Sequence, residues 1–484
     1  MTQLRYLAFD LGAESGRGVL GSYDGDRLSL TEVGRFPTTR GAADIGADGV
    51  RRWDFERIWG EIDRIRIEVE AGGPLDGVAV DTWGVDFGLL DENGVLLEQP
   101  LCYRDDSFPP ALSELTAKLG KEAIWDATGI QFMSFNTLFQ LYAAQKRDPG
   151  LLERARTLLF MPDLIASRLT GGIYDGVEST IASTSQMIDP TTQSWNLELL
   201  GKAGIPTHFL PTIVPAGSWI GHTSGGTPVF ATAGHDTGAA VAAVPASGDK
   251  TWAFLSSGTW SLLGVELSSP NLTEHALALG FSNEGGINGT TRFLKNIMGL
   301  WLVQECKRSL ARDGFDYSYE ELVKLAQAAP EGGPLIDAVD SRFMAPADMP
   351  TEIRAACVQS GKPLASDTGA LIRCCYESLA AAYAKSIHAL NDILGTEIEV
   401  LHIVGGGTKN ALLNQWAADA TGITVVAGPD EATAAGNILI QMVGSGALNE
   451  WIEARAVCRR SFSPTTYVPD PEASKRWQAK GILG

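Results

Sequence analysis

The sequence predicts an α/β protein built from two related domains. Three observations support this. The chain has 484 residues, more than a single hydrophobic core accommodates before chains divide. Short apolar runs of β type alternate with longer stripes of helical period. The opening pattern, a strand, a glycine-bearing turn and a second strand, starts again near residue 248.

In chain order, RYLAFDLG is an apolar β-run ending in glycine, RGVLGSY follows the turn AESG, and LSLTEVGRF follows the hairpin-type turn DGDR. Over residues 53–70, Phe55, Ile58, Trp59, Ile62, Ile65 and Val69 recur at helical spacing. GVAVDTWG (77–84) is a strand running into a polar turn, and FGLLDENGVLLEQ reads as a hairpin around DENG. Residues 100–225 are less regular, with a helix over 151–169 and polar loops around 171–195, and read as an insertion. In the second half, KTWAFLSSGTWSLLGVEL gives strand, turn and strand again. A long helix fits 366–394, capped by Ser366 or Asp367 and stopped by Gly395, with a core stripe of Leu371, Cys375, Leu379, Ala382, Leu390 and Leu394. EVLHIVGGG is a strand ending in three glycines; NALLNQWAADATG is a helix, ITVVAGP a strand and EATAAGNILIQMVG a helix. The repeat is one of pattern rather than identity. It places the joint at PASGDK, within 244–250, giving domains of 1–245 and 246–484.

Composition narrows the class. Hydrophobic residues make up 44% and charged residues 20%, as in ordinary globular proteins. A net charge of −20 disfavours nucleic acid and anionic membranes as partners. An anionic ligand must then be held by local amides, a few cations or a metal. There is no apolar run of about 18 residues for a transmembrane helix, and MTQLRYLAFDLG lacks the features of a signal peptide. The six cysteines show no CxxC or Cys/His ligand spacing, which disfavours zinc and suits reduced thiols in a cytoplasmic enzyme. Cys374 and Cys375 lie in an apolar helical stripe and read as packing.

Several short stretches carry chemistry. AGHDTGAA (233–240) sets His235 and Asp236 among alanines and glycines. A carboxylate in such surroundings is costly to bury unless it is paired or working. Thr237 and Gly238 beside it permit close approach of a substrate, while His235 alone is equally a core histidine. DLGAESGR (10–17) ends a strand with Asp10 and enters a glycine turn whose amides, with the Ser15 hydroxyl, suit a phosphate. Asp10 suits Mg²⁺ held through water. LSSGTWS (255–261) repeats the design, and two such turns can clasp a polyphosphate; each alone is also an ordinary hairpin. VGGGTKN (404–410) joins strand to helix, with room for a flat ligand such as adenine and a helix N-terminus for anions. The dinucleotide fingerprint GxGxxG is missing from that turn, which disfavours a dinucleotide oxidoreductase, and no GxxxxGK[ST] occurs. DTWGVDF (81–87) offers two carboxylates, a tryptophan and a glycine, a set that suits sugars, although Trp83 and Phe87 equally read as core. KNIMGLW (295–301) puts Lys295 and Asn296 at an expected helix start, with Gln304 two turns on.

DLGAESGR, LSSGTW and VGGGTKN, in that order and with the acid of AGHDTGAA, resemble the FGGY carbohydrate kinases over nearly the whole chain. DTWGVDF, GIQFMSFNTLFQL, LLFMPDLIASRLTG and LKNIMGLWL strengthen the resemblance. It implies two actin-like (ribonuclease H-like) α/β domains with ATP and sugar in the cleft between them, the first sugar-binding and the second ATP-binding. It implies phosphorylation of L-rhamnulose at its 1-hydroxyl by MgATP, giving L-rhamnulose 1-phosphate and ADP. By the same resemblance Asp236 is the catalytic base. Gly84, His235, Asp236, Thr237 and Asn296 meet the sugar. Ala13, Glu14, Ser15, Gly16, Arg17, Thr259, Gln304 and Gly406 meet ATP, and Asp10 lies near the metal. Glu14 departs from the expected serine, and its charge is expected to point away from the phosphates. The expected assembly is a monomer or homodimer. Kinases for L-fuculose, L-ribulose or D-xylulose share the phosphate turns, and an actin-like ATP-binding scaffold or sugar sensor keeps those turns without needing Asp236.

Overall fold

The computed structural model describes residues 3–248, 250–344 and 346–481. The chain divides into two compact units. The first runs to Ala243 and takes back Glu266–Phe293 and Ala432–Ser461; the second holds Val244–Val265, Leu294–Glu431 and the stretch from Phe462 on. The expected joint PASGDK begins two residues after the first crossing, and its Asp249 lies outside the described residues.

The first unit is built on β1 (Leu4–Leu11), β2 (Ser15–Tyr23), β3 (Leu28–Pro37), β4 (Gly77–Thr82), β5 (Ser218–His222) and β6 (Pro228–Ala231). They form one sheet in the order β5-β6-β4-β1-β2-β3. β1 pairs antiparallel with β2 and parallel with β4, and β4 pairs parallel with β6. β4 is buried at every position, as a central strand covered on both faces must be. The covering helices are Phe55–Ala71 and Ala432–Gly444. Two glycines of β2 let them approach. A Cβ on Gly18 would lie 2.8 Å from Ile65, and one on Gly21 would lie 2.7 Å from Ile438. An odd separation along a strand puts these positions on opposite faces.

The second unit repeats the plan with β7 (Trp252–Ser257), β8 (Ser261–Leu267), β9 (Val400–Val404), β10 (Thr424–Ala427) and β11 (Thr465–Tyr467). The order is β8-β7-β9-β10-β11. As in the first unit, the leading strand takes an antiparallel hairpin partner on one side, and two further strands join parallel on the other. The helix Thr368–Leu394 starts at Asp367, whose carboxylate accepts from the Ala370 amide, and stops at Gly395 in the left-handed conformation. Leu371, Cys375, Leu379 and Leu390 of its expected stripe are buried, while Ala382 and Leu394 are only partly so.

Three local expectations are corrected. Residues 151–169 are not one helix. A short helical turn, Leu151–Arg154, is followed by the strand Thr157–Phe160 and the helix Met161–Leu169. Pro162 opens that helix, a position where its missing N–H costs nothing. FGLLDENGVLLEQ does turn at DENG, where Asp91 accepts from the amides of Asn93 and Val95. Its return arm pairs antiparallel between Leu90 and Leu96, but the full ladder partner of Phe87–Leu90 is the strand Thr157–Phe160. Finally, Lys295 and Asn296 lie on the strand Thr291–Ile297, and the helix starts only at Trp301. Gly299, at φ +56°, makes the break.

The short helix Asp236–Ala242 packs on Ala432–Gly444. A Cβ on Gly436 would sit 1.7 Å from the Ala239 carbonyl oxygen. We expect Gly436→Ala to force these helices apart at a cost of about 1–3 kcal/mol or more. The checks are a lower thermal unfolding temperature and faster amide exchange over Asp236–Ala242.

Candidate active site

β1 and β4 run parallel with Asp10 directly beside Asp81. At the end of β4, the Thr82 amide donates to the Gly234 carbonyl at 2.9 Å, which fixes the turn leading into Asp236. Three carboxylates thereby share one electrostatic field. Burial pushes Asp81 well above the usual carboxylate range, and the charge of Asp10 pushes the same way, while the Asn437 amide, 2.7 Å from Oδ2, opposes them. Asp81 Oδ1 is buried without a hydrogen-bond partner. Asp236 is raised too, first by burial and then by Asp10, against the pull of His235. It is walled in by protein but open on one side, with 35% of its side chain exposed. Asp10 accepts from Arg17, opposite it on β2, through Nη2 at 2.7 Å and Nε at 3.1 Å.

The turn that carries His235 and Asp236 is held from behind. Glu178 Oε2 accepts from the Gly234 amide at 2.8 Å, and Thr180 Oγ1 accepts from the His235 amide at 3.3 Å. The Thr237 amide donates to Asp236 Oδ1 at 2.6 Å. Gly84 brings its backbone against the ring: a Cβ there would lie 3.4 Å from His235 Nε2. The structure thus brings Gly84, His235, Asp236 and Thr237 together. Behind His235 lie Glu284 and Arg292, both buried.

DTWGVDF builds an aromatic layer rather than a row of acids. Asp86 is fully buried; Trp53 Nε1 donates to its Oδ2 at 2.6 Å, Trp83 Nε1 at 2.9 Å and the Tyr103 amide at 3.1 Å, while Gln140 donates to Oδ1 at 2.8 Å. The Trp53 and Trp83 rings lie 4.3 Å apart, and Tyr103 meets Phe135 edge-on. Trp83 and Phe87 are buried members of the core.

The turn from Ala13 to Arg17 is tight. β2 already begins at Ser15, and the Gly12 amide donates to the Ser15 carbonyl at 3.0 Å. Gly16 is explained by packing, because a Cβ there would lie 2.7 Å from the Phe36 ring. Glu14 lies within the electrostatic reach of Arg104. In the second unit, Thr259 sits in the turn between β7 and β8, and its carbonyl accepts from the Trp301 amide at 3.0 Å. Gln304 lies in the first turns of the helix Trp301–Arg312, its Oε1 buried without a hydrogen-bond partner. Gly406 opens a single 3-10 turn, and a Cβ there would meet nothing within 4 Å. On neighbouring Gly407 a Cβ would lie 2.0 Å from Ser257 Oγ. Asn296 is half-buried on its strand. Among the described residues no group of three or more His, Cys, Asp or Glu side chains forms a cage for a metal ion, and no helix is long and apolar enough to cross a membrane.

Sequence reasoning passed over Trp53, Tyr103, Gln140, Glu178, Glu284, Arg292 and Asn437. Asn437 and Gln441 did leave a signal, a polar pair four residues apart inside the apolar stretch NILIQMV. Both are buried; Gln441 donates to the Leu7 carbonyl and to Asn437.

Residues 5–256 match the N-terminal domain of the FGGY family of carbohydrate kinases, and residues 253–445 its C-terminal domain. The chain is 41% identical over 487 residues to a rhamnulokinase of Bacteroides thetaiotaomicron, covering 99% of this chain and 98% of that protein. It is 41% identical over 475 residues to a rhamnulokinase of Lactiplantibacillus plantarum, covering 96% and 95%. Among solved structures, a ligand-bound xylulose kinase from Lactobacillus acidophilus superposes with a TM-score of 0.78 at 15% identity, over 99% of this chain and 96% of that one. Plasmodium falciparum glycerol kinase with ADP gives 0.77 at 16%, over 99% and 98%.

Burial pushes Asp86 up to about 6 despite its four N–H donors. The native state therefore keeps a proton that the unfolded chain releases, and this group's contribution to stability falls as pH rises from about 4 to about 6. The change is about 3 kcal/mol at 1.36 per pH unit. We expect Asp86→Asn to lose that dependence. It should also cost about 1–3 kcal/mol at neutral pH, since one amide oxygen replaces two acceptors. Chemical denaturation of both proteins at pH 4.5 and 7, followed by tryptophan fluorescence, checks both.

Proposed function

The chain belongs to the FGGY family of carbohydrate kinases, and we propose that it transfers the γ-phosphoryl of ATP to the 1-hydroxyl of L-rhamnulose, with Asp236 as general base. ATP-dependent phosphorylation of a sugar follows from the family. The choice of sugar rests on the full-length likeness to rhamnulokinases. The observation that carries the role of Asp236 is its setting: a carboxylate raised by burial, yet open on one side, next to His235 and Thr237.

The mechanism follows from these residues. Gly84, His235, Thr237 and Asn296 bind and orient the ketose. A sugar hydroxyl is a weak nucleophile, and Asp236 accepts its proton as it attacks, which is worth about 10²–10⁴ in rate. Holding both substrates in line contributes more, roughly 7–11 kcal/mol. The amides of the turn Ala13–Arg17 receive the phosphates. Thr259 and Gln304 bind the nucleotide, and the open face of Gly406 receives its adenine. Gln304 Oε1, buried and without a hydrogen-bond partner, is an acceptor awaiting a donor such as a ribose hydroxyl or the adenine amino group.

The acid trio suits a magnesium ion. Asp81 Oδ1 has no partner, and mutual repulsion among Asp10, Asp81 and Asp236 favours a cation nearby. The lack of a three-ligand cage among the described residues suits an ion that keeps most of its waters. Asp10 would hold it through water, and the ion would neutralise charge on the transferring phosphoryl group. The six cysteines, all free and buried, support a cytoplasmic, reducing location.

The first test is ADP release with MgATP and a panel of L-rhamnulose, L-fuculose, L-ribulose, D-xylulose, glycerol and no sugar. L-Rhamnulose should be preferred, and Asp236→Asn should lower kcat by about 10²–10⁴ while ATP still binds. Preference for another ketose overturns the substrate, and full turnover in the variant overturns the base. A second test uses the neighbouring glycines. Gly406→Ala should fold normally and raise the KM for ATP, whereas Gly407→Ala should unfold at a lower temperature because of Ser257. An unchanged KM in Gly406→Ala removes the adenine assignment.

A further inference from the structure

Glu284 and Arg292 form a nearly inaccessible ion pair, with side-chain exposures of 7% and 0% and Nη2 to Oε2 at 3.2 Å. Both converge on one nitrogen. Arg292 Nη2 lies 3.2 Å from His235 Nδ1, and Glu284 Oε2 lies 3.3 Å from it. Across the ring, His235 Nε2 lies 3.4 Å from Asp236 Oδ1. Arg292 Nε donates to the Gly285 carbonyl at 2.8 Å, which fixes the guanidinium plane.

A neutral histidine carries one ring proton, and its place decides what the other nitrogen can do. With the proton on Nδ1, directed at Glu284, Nε2 would turn a lone pair towards the lone pairs of Asp236, and the Nδ1 proton would face the arginine donor. With the proton on Nε2, both ring nitrogens have partners, and Glu284 Oε2, buried without a hydrogen bond, meets Arg292 as a charge. Nδ1 then accepts from Arg292, which has donors only, and Nε2–H donates towards Asp236. Glu284 balances the charge of Arg292 where both side chains are buried. Burial pushes the Glu284 carboxyl up, and the charge of Arg292 leads the interactions that hold it below its usual range.

We propose that Glu284 and Arg292 are positioning residues that hold His235 as the neutral Nε2–H tautomer. This deepens the kinase reading above and rests on it for its catalytic consequence. Asp236 Oδ1 already receives the Thr237 amide and sits nearest to Thr237 Oγ1 and His235 Nε2. Among the described residues no hydrogen bond engages Asp236 Oδ2. The ion pair thereby selects Oδ2 as the oxygen that accepts the sugar proton, while the His235 N–H holds Oδ1.

The test reads the tautomer directly. Nitrogen-15 spectra of the histidine rings, with the His235 signals assigned by their loss in His235→Gln, should show Nε2–H in the wild-type protein without substrate. Removing one charge of a buried pair can prevent folding, so the variants are the double replacement Glu284→Gln with Arg292→Gln, and the conservative Arg292→Lys. The double variant, shown folded by its thermal transition, should shift His235 towards Nδ1–H or a mixture. Its kcat should fall by about tenfold or more, the effect of a misplaced base, with the KM for ATP unchanged. Arg292→Lys, which keeps a charged donor, should recover most of kcat. Nδ1–H or a doubly protonated ring in the wild type overturns the proposal. So does a folded double variant with unchanged tautomer and kcat. The spectra need no sugar, so they stand even if Asp236→Asn retains turnover and the base assignment falls.

Discussion

Carboxylates dislike both burial and one another, and Asp10, Asp81 and Asp236 endure both. Much of the first unit serves to make this tolerable. Asp10 is answered from β2 by Arg17, Asp81 from the helix Ala432–Gly444 by Asn437, and Asp236 by the amide of its own neighbour Thr237. These partners sit on separate elements, and one of them lies 356 residues from its carboxylate. The late return of the chain to the first unit is therefore tied to the site. Without Asn437, the buried Asp81 would lose the one donor that faces it. The trio also sits where parallel strands end, the general place for ligands in open α/β sheets.

Close packing makes the same arrangement possible. Gly436 lets the helix that carries Asn437 touch the backbone of the helix that carries Asp236. Gly18 and Gly21 let covering helices sit close on either face of the sheet. These glycines act by being small rather than by unusual backbone angles. They differ from Gly299 and Gly405, whose positive φ lets the chain turn sharply in loops of the second unit. The buried polar atoms left unsatisfied among the described residues include Asp81 Oδ1, Gln304 Oε1 and Arg292 Nη1. Such atoms are rare in native interiors, and these three lie on or beside residues proposed to act in the reaction.

Local signals in the sequence carried much of this. Alternating apolar runs revealed β1 to β4, and the caps Asp367 and Gly395 bounded the long helix, because both depend on neighbours a few residues away. The acid of AGHDTGAA stood out because its flanks are small and apolar. What stayed hidden depends on distant contacts. Thr157–Phe160 is too short to declare itself against a helical background, and becomes a strand because Phe87–Leu90 offers an edge. Lys295 and Asn296 resemble a helix start until Gly299 is seen to pack against the Thr259–Trp260 peptide, which postpones the helix to Trp301. Glu284 and Arg292 lie in ordinary strand sequence, and only the fold brings them to His235.

Glu14 shows how far such linkage reaches. A negative charge in the turn proposed to receive phosphates is unfavourable by itself, and the structure sets it within the electrostatic reach of Arg104. Arg104 Nε donates to the Tyr103 hydroxyl at 3.0 Å, and the Tyr103 amide donates to Asp86. Asp86 in turn holds the indoles of Trp53 and Trp83. A chain of polar contacts thus runs from the turn after β1 to the aromatic layer beside Gly84. Glu14 thus feels a cation rooted in that layer, and a change in the layer would alter the field at the turn after β1.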